Sequence, residues 1–180
     1  MSAIDIKIAC EVCMKLRKFL LKDAPYMLEW MHDKNVLSGL QAEKFINKNI
    51  QDCEEFIKTH TSDINNIHMA IVDENDVYMG TVSLKHITEN DAEFAIAIRT
   101  CAMGKGYAGM AMKEIIRIGH EELGIKYIYW GVRKDNLRAI RFYDKNLYRQ
   151  SDISVEWTSL KKGIYDKTGI DCRFWYLSVK

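Results

Sequence analysis

No apolar run in this chain of 180 residues approaches the ~20 that a membrane-spanning helix requires, so no crossing of a bilayer is expected. Neither sign of charge dominates: 26 Lys and Arg stand against 25 Asp and Glu, for a net +1. The basic residues are scattered, mostly beside acids, which leaves no basic face for nucleic acid or an anionic membrane. A disulfide framework is missing too. The five cysteines are odd in number and dispersed, as suits reduced thiols in a cytoplasm. Cys10 and Cys13 make a lone C-x-x-C with no second pair and no nearby His, so they read as small residues around a first strand, and no metal is expected. Residues 1–7 lack the apolar stretch of a signal peptide. Pro25 is the one proline, and there is no repeat, low-complexity tract or linker. The expectation is a single domain over residues 1–180, long enough to bury roughly 70% of its unfolded surface without staples.

What is present is a change of periodicity along the chain. Met14 to Leu20 alternates like a strand. Asp23 then reads as the cap of a helix with Pro25 in its first turn, and Met27, Leu28, Trp30 and Met31 along it. A second helix is expected over Ile50 to Lys58, with Cys53, Phe56 and Ile57 on one face. The middle predicts antiparallel strands at Ile67–Val72, Val77–Ile87 and Glu93–Ile98, separated by turns at 73–76 and 89–91. Beyond them the period becomes helical from Tyr107 to Leu123, with Met112, Ile115, Ile116 and Gly119 on one stripe and Gly124 as the stop. Tyr127–Val132 is a strand, and Asp135 or Asn136 caps a further helix to Lys145. Strands around Ser151–Thr158 and Asp171–Val179, with a loop at 161–169 between them, close the chain. This order predicts an α/β (α+β) fold: a mixed, mostly antiparallel, twisted sheet of about six or seven strands flanked by about four helices.

Gly104-Lys105-Gly106-Tyr107-Ala108-Gly109 stands between a strand and a helix. Closely spaced glycines let backbone N–H groups turn toward one point, and the helix start adds the positive end of its dipole, so the segment is a cradle for phosphate oxygens. The hexapeptide matches G-x-G-x-x-G literally. The dinucleotide reading nevertheless fails: antiparallel strands precede the motif, and the next strand ends Trp130-Gly131-Val132 without the ribose-binding acid. A Walker A loop is excluded because Gly106, not Ser or Thr, follows Lys105. A bare helix start that uses glycine for a tight turn is the plain alternative.

Ala92 to Ile98, a short spacer, then Met103 to Ala108 resembles the acetyl-CoA signature of the GNAT acetyltransferase superfamily, whose loop reads Q/R-x-x-G-x-G/A. Gly106 and Ala108 match the last two fixed positions, while Met103 stands where Gln or Arg is usual. A second signature is similar to Asn136-Leu137-Arg138-Ala139-Ile140-Arg141-Phe142-Tyr143, although Asn146-Leu147-Tyr148 replaces the usual Leu-Gly-Phe ending. The resemblance implies an acetyl-CoA-dependent N-acetyltransferase with no metal. In it the amine attacks the thioester directly in a ternary complex. Ile96 and Ile98, the loop residues Met103, Gly104, Lys105, Gly106, Tyr107 and Ala108, and Asn136 would hold the cofactor. Tyr143 would protonate the departing thiolate, a step that a thiol of pKa about 8.5 and a phenol of about 10 allow when held in contact. Glu93 matches a carboxylate that serves as base, with His68 and His86 as alternatives. Cys101, before the loop, has no His partner and is not expected to be a nucleophile. The strand at Tyr127–Val132 is expected to splay from Phe94–Ile98, leaving an edge for the pantetheine amides.

For the acceptor the readings diverge. Leu28–Asp33 and Asp52–Ile57 are similar to the N-terminal region of bacterial GNAT enzymes that acetylate amino sugars. Glu93–Ala108 is as similar to spermidine and ribosomal-protein N-terminal acetyltransferases. A polyamine would need an acidic pocket, for which Glu29, Asp33, Glu54 and Glu55 are available. A nucleotide-linked sugar would need basic and aromatic groups, for which Trp30, Lys44 and Lys48 are available. An amino sugar is the expectation. A module that binds acetyl-CoA without turnover is the alternative of another class, suggested by Met103 and the altered helix ending. Many members of the superfamily are dimers, so a homodimer is an expectation the resemblance adds.

Overall fold

The computed structural model describes residues 13–60, 63–151 and 173–180. Strands β1 (Lys15–Arg17), β2 (Ile67–Val72), β3 (Tyr78–Lys85), β4 (Asp91–Ile98), β5 (Tyr127–Arg133) and β6 (Arg173–Val179) form one sheet in that spatial order. Each neighbouring pair is antiparallel except β4 and β5, which run parallel and are joined by helix α4 (Tyr107–Arg117). The remaining helices are α1 (Ala24–Met31), α2 (Lys34–Leu37), α3 (Ile50–Thr59) and α5 (Leu137–Lys145). Isolated two-stranded pairing is marginal in water. Here alternation along the strands sends side chains to two cores, one on each face. Ile71, Val82, Leu84 and Phe94 pack with Met112 and Ile115 of α4, whereas Ala70, Val72 and Tyr78 pack with Met27, Trp30, Cys53 and Ile57 of α1 and α3. Met112 and Ile115 are wholly buried, worth about 2 kcal/mol each by transfer.

Several boundaries differ from the sequence reading for local reasons. Asp23 does not cap α1. A short 3-10 turn at Leu21–Asp23 precedes the helix, so Asp23 is already helical and its carboxylate turns back to accept from the Leu20 amide (2.8 Å) and the Arg17 guanidinium (2.7 Å). Helix α2, with the Asp33 side chain capping it through the Asn35 amide at 2.8 Å, is too short to leave a periodic signal. Strand β4 begins at Asp91 rather than Glu93 because Asp91 is already paired with Tyr127. Between β2 and β3 the Asp73 carboxylate accepts from the Asn75 and Val77 amides, and Asp76 takes the left-handed conformation (φ 59°) that completes the turn. Helix α4 loosens into a π turn over Ile118–Glu122, where Gly119 lies so close to the sheet that a Cβ would stand 2.6 Å from Ile128 Cδ1. Gly124 (φ 73°) then ends the segment, as the sequence predicts. Of the two closing strands, β6 is described and Ser151–Thr158 lies outside the described residues but for Ser151, as does the loop at 161–169.

Candidate active site

The parallel pairing of β4 with β5 stops early. Asp91, Ala92 and Glu93 face Tyr127, Ile128 and Tyr129, and beyond them β4 continues to Ile98 and β5 to Arg133 without pairing. Backbone groups on that side of Phe94–Ile98 therefore face open space instead of a neighbouring strand. The space is a cleft of about 780 Å³. At its far end the chain turns through Gly104 (φ 76°) and Gly106 (φ 93°), and Gly106 is the residue from which α4 departs. Both values lie in the left-handed region, which side chains other than glycine adopt only at a cost. The first-turn amides of α4, which have no intrahelical acceptor, and the positive end of its dipole are thereby presented together.

Of the residues singled out by sequence, Glu93, Ile96, Ile98, Met103, Gly104, Gly106, Ala108, Asn136 and Tyr143 all line this cleft. Lys105 and Tyr107 are in the loop but not in the wall, since the Tyr107 ring is buried in the core instead. The cleft fits an elongated anionic thioester on two observations. Two left-handed glycines and the open first turn of α4 sit at one end, and a strand edge not paired with β5 runs along its length. In addition, the Trp130 indole N–H, buried in the wall, has no hydrogen-bond partner among the described residues.

Tyr143 stands two turns along α5 from Asn136 and is 5% exposed. Its ring packs against Trp130 (5.5 Å between centroids) and Tyr176 (5.0 Å). Burial, then the neighbouring Tyr176 and Tyr148, push its phenol well above the ordinary tyrosine range, so it keeps its proton. Asn136 caps α5, its Oδ1 accepting from the Ala139 amide at 3.1 Å, and its Nδ2 donates to the Gly39 carbonyl at 3.2 Å. The Asn146-Leu147-Tyr148 ending keeps its turn without glycine. Leu147 itself adopts φ 63°, the Tyr148 amide donates to the Tyr143 carbonyl at 3.0 Å, and Tyr148 packs edge-on against Trp130 at 5.2 Å.

Glu93 is not a solvated strand end. It is 4% exposed, at the vertex where β4 and β5 part, and pairs with Lys85 (3.3 Å) and with His86 Nε2 (3.6 Å). His86 is more exposed, and its contact is with Glu93 rather than the cleft. His68 lies away from the cleft in a second cavity of about 320 Å³, hydrogen-bonded to Ser83 Oγ at 2.8 Å. Burial, then the nearby His60 and Lys85, hold its imidazole down to about 4, so it stays neutral near pH 7. Cys101 is exposed.

The second cavity lies between β2–β4 and the helices α1 and α3. Its walls are chiefly apolar: Met27, Trp30, Phe45 and Phe56 among them. Trp30, Lys44 and Lys48, separate in sequence, meet there, and Lys85 joins them. Among the described residues Asp52 is its only carboxylate. The four acids available for an acidic pocket do not line it. Glu29 is held by Arg99 in a two-pronged pair (3.0 and 2.7 Å), Asp33 accepts from Thr100 at 2.6 Å, Glu54 faces Lys58, and Glu55 is exposed. The two cavities meet across β4 and share Leu40, Lys44, Phe45, Lys85 and Ala95–Ala97. Sequence reading missed Lys85, Phe45 and Arg138. The Arg138 guanidinium lies 3.0 Å from Met103 Sδ, which brings a cation beside the position where the signature loop has Gln or Arg. Its place two residues after the cap Asn136 was the available signal.

Comparison with known proteins agrees with this architecture. The family model for the acetyltransferase (GNAT) domain matches residues 14–147. No curated protein matches the chain. Among solved structures, spermidine N-acetyltransferase from Vibrio cholerae in complex with CoA and spermine is similar with a TM-score of 0.71 at 19% identity, covering 92% of this chain and 95% of that one. A GNAT-family acetyltransferase from Bacillus anthracis gives a TM-score of 0.71 at 18% identity, over 93% of this chain and 95% of that one. At these identities the likeness is one of fold.

Proposed function

The chain belongs to the GNAT acetyltransferase family and is an acetyl-CoA-dependent N-acetyltransferase, and from that premise we propose that residues 1–180 form one such domain, passing acetyl directly to a primary amine of a nucleotide-linked amino sugar. The observation that carries this reading is the meeting of the two cavities across Ala95–Ala97. A thioester held along β4 from one side comes within reach of an amine entering from the other, so no acyl-enzyme is needed. Acetyl-CoA, when bound, supplies the activated acetyl group. Gly104, Gly106 and Ala108 cradle its pyrophosphate through backbone amides, with Arg138 adding charge beside Met103. The free edge at Ile96 and Ile98 pairs with its amides as an added strand would, and an amide of the same strand steadies the developing oxyanion.

Tyr143 gives its proton to the departing thiolate. Burial raises the phenol, which makes it a weaker acid. It therefore holds its proton until the thiolate forms beside it. Glu93, at the vertex, takes the proton of the incoming amine, directly or through one water. The amino-sugar reading draws on the second cavity's composition: aromatic walls at Trp30 and Phe45 for an apolar ring face, and three lysines against one carboxylate for phosphate oxygens. A polyamine is the second reading, favoured by the spermidine and spermine of the Vibrio cholerae enzyme. The same lysines oppose it, because a polycation would enter beside like charge.

The test is CoA thiol release from acetyl-CoA across a panel of amino sugars and their nucleotides, polyamines and peptide N-termini, against a blank without acceptor. Release with nucleotide-linked amino sugars is expected, with Lys44→Glu raising the acceptor KM about tenfold. Release with polyamines alone would overturn the acceptor assignment while leaving the cofactor site standing.

A further inference from the structure

Three donors at the end of β5 and the start of α5 reach across the cleft to one short segment. Arg133 Nη1 donates to the Leu40 carbonyl (3.4 Å), Asn136 Nδ2 to the Gly39 carbonyl (3.2 Å), and Arg138 Nη2 to the Asn35 carbonyl (2.9 Å). These partners are more than ninety residues apart in sequence, yet the three bonds bring the same two stretches of chain together. Gly39 fits the contact closely: a Cβ there would stand 2.5 Å from Asn136 Nδ2 and 3.1 Å from its Cγ. No positive φ calls for glycine at this position, so its service is the close approach.

We propose that residues 35–40 form a strap over the cleft, latched by Arg133, Asn136 and Arg138, and that Asn136 is a positioning residue for the acceptor side rather than a ligand of the cofactor. Leu40, the last residue of the strap, lies in the wall common to both cavities, and Phe45 continues that wall. Where the strap sits therefore sets the shape of the acceptor cavity. Both ends of the Asn136 amide are engaged in this task, the oxygen holding the first turn of α5 and the nitrogen holding the strap. The helix that carries Tyr143 is thereby tied to the wall that shapes the acceptor cavity, which fixes the distance between acid and amine. The inference rests on the two-cavity reading of the site.

Two variants separate a latch from a cofactor contact. Asn136→Asp keeps an oxygen to cap α5 but loses the donor to Gly39. Gly39→Ala pushes the strap off by crowding the Asn136 amide while leaving residue 136 unsubstituted. Acetyl-CoA affinity is measured by calorimetry, strap opening by hydrogen exchange of amides 36–42, and access to the acceptor cavity by iodoacetamide labelling of Cys53, a buried residue of its wall, read by peptide mass mapping. Both variants are expected to bind acetyl-CoA within about twofold of the parent, to exchange about tenfold faster in 36–42, and to label faster at Cys53. The double variant should be no faster than either single one, since both break one contact. Should either variant melt, Arg133→Met cuts the Leu40 bond from a partly exposed position and takes its place. A tenfold loss of acetyl-CoA affinity in Asn136→Asp alone would make Asn136 a cofactor ligand and overturn the proposal. Unchanged exchange or unchanged labelling would overturn it as well. Failure of the parent protein to bind acetyl-CoA would strike the functional reading instead, and the exchange data would still judge the strap.

Discussion

The cleft and the second cavity share a wall of β4, yet they are made of different material. The cleft is largely a backbone structure: a strand edge released at Glu93, two left-handed glycines, and the open end of α4. The second cavity is a side-chain structure, with rings and thioethers from α1 and α3, lysines from the segment between them, and the outward face of β2–β4. Backbone geometry tolerates substitution of most side chains but fails abruptly at a few positions. A side-chain cavity changes gradually, one contact at a time. On the function proposed above, the backbone construction serves the donor and the side-chain construction the acceptor.

The largest expected effect tests the backbone side. Gly106→Glu imposes a side chain on φ 93° and sets a carboxylate against phosphate, and acetyl-CoA affinity measured by calorimetry should fall about a thousandfold with the acceptor KM little changed. Unchanged affinity would mean that the loop is not the cradle. Next comes the acid in the wall of the cleft: Tyr143→Phe should cut turnover about a hundredfold while acetyl-CoA binding stays within a few-fold. Full turnover in that variant would remove Tyr143 as the acid.

The side-chain cavity predicts a smaller, pH-dependent effect. His68 is held at about 4 against an ordinary value of about 6.5, so the unfolded chain binds the extra proton between those values. Stability contributed at this site is complete above pH 6.5 and is lost as the pH falls toward 4, by about 2 kcal/mol after allowing for partial burial. Denaturant titrations at pH 7 and pH 4.5 should show that loss, and His68→Gln should reduce it. An equal loss in the variant would locate the sensitivity elsewhere. The smallest effect returns to backbone: Leu147→Gly relieves a left-handed, 86% exposed leucine and should raise stability by about 0.5 kcal/mol, read as a shift of the denaturant midpoint. A lower midpoint would show that the leucine's own contacts outweigh the strain.

The same contrast explains what was legible beforehand. Gly104 and Gly106 could be read as an anion cradle because a positive φ selects glycine and because the switch from period two to period 3.6 marks the start of α4. Asn136 could be read as a cap because the preference for short polar side chains at that position is local. Asp23 misled for a local reason too, since one extra 3-10 turn ahead of α1 moved it out of capping geometry. Leu147 hid its turn because the residue usually found in that conformation is absent.

Periodicity and composition by themselves determined the order of β1 to β6 and of α1, α3, α4 and α5, and the excess of antiparallel pairing. They also located the glycine turn ahead of α4 and the helix bearing Asn136 and Tyr143. All of these depend on interactions between residues near in sequence. Only the tertiary structure decided that Glu93 is buried beside Lys85 and that Glu29 belongs to Arg99 rather than to a pocket. It alone gathered Trp30, Lys44, Lys48 and Lys85 around one cavity and carried Arg138 to Met103 and Asn35. Apart from Lys85 and Glu93, which face each other across the β3–β4 hairpin, each of these pairings joins groups whose separation along the chain carries no trace of their distance in space.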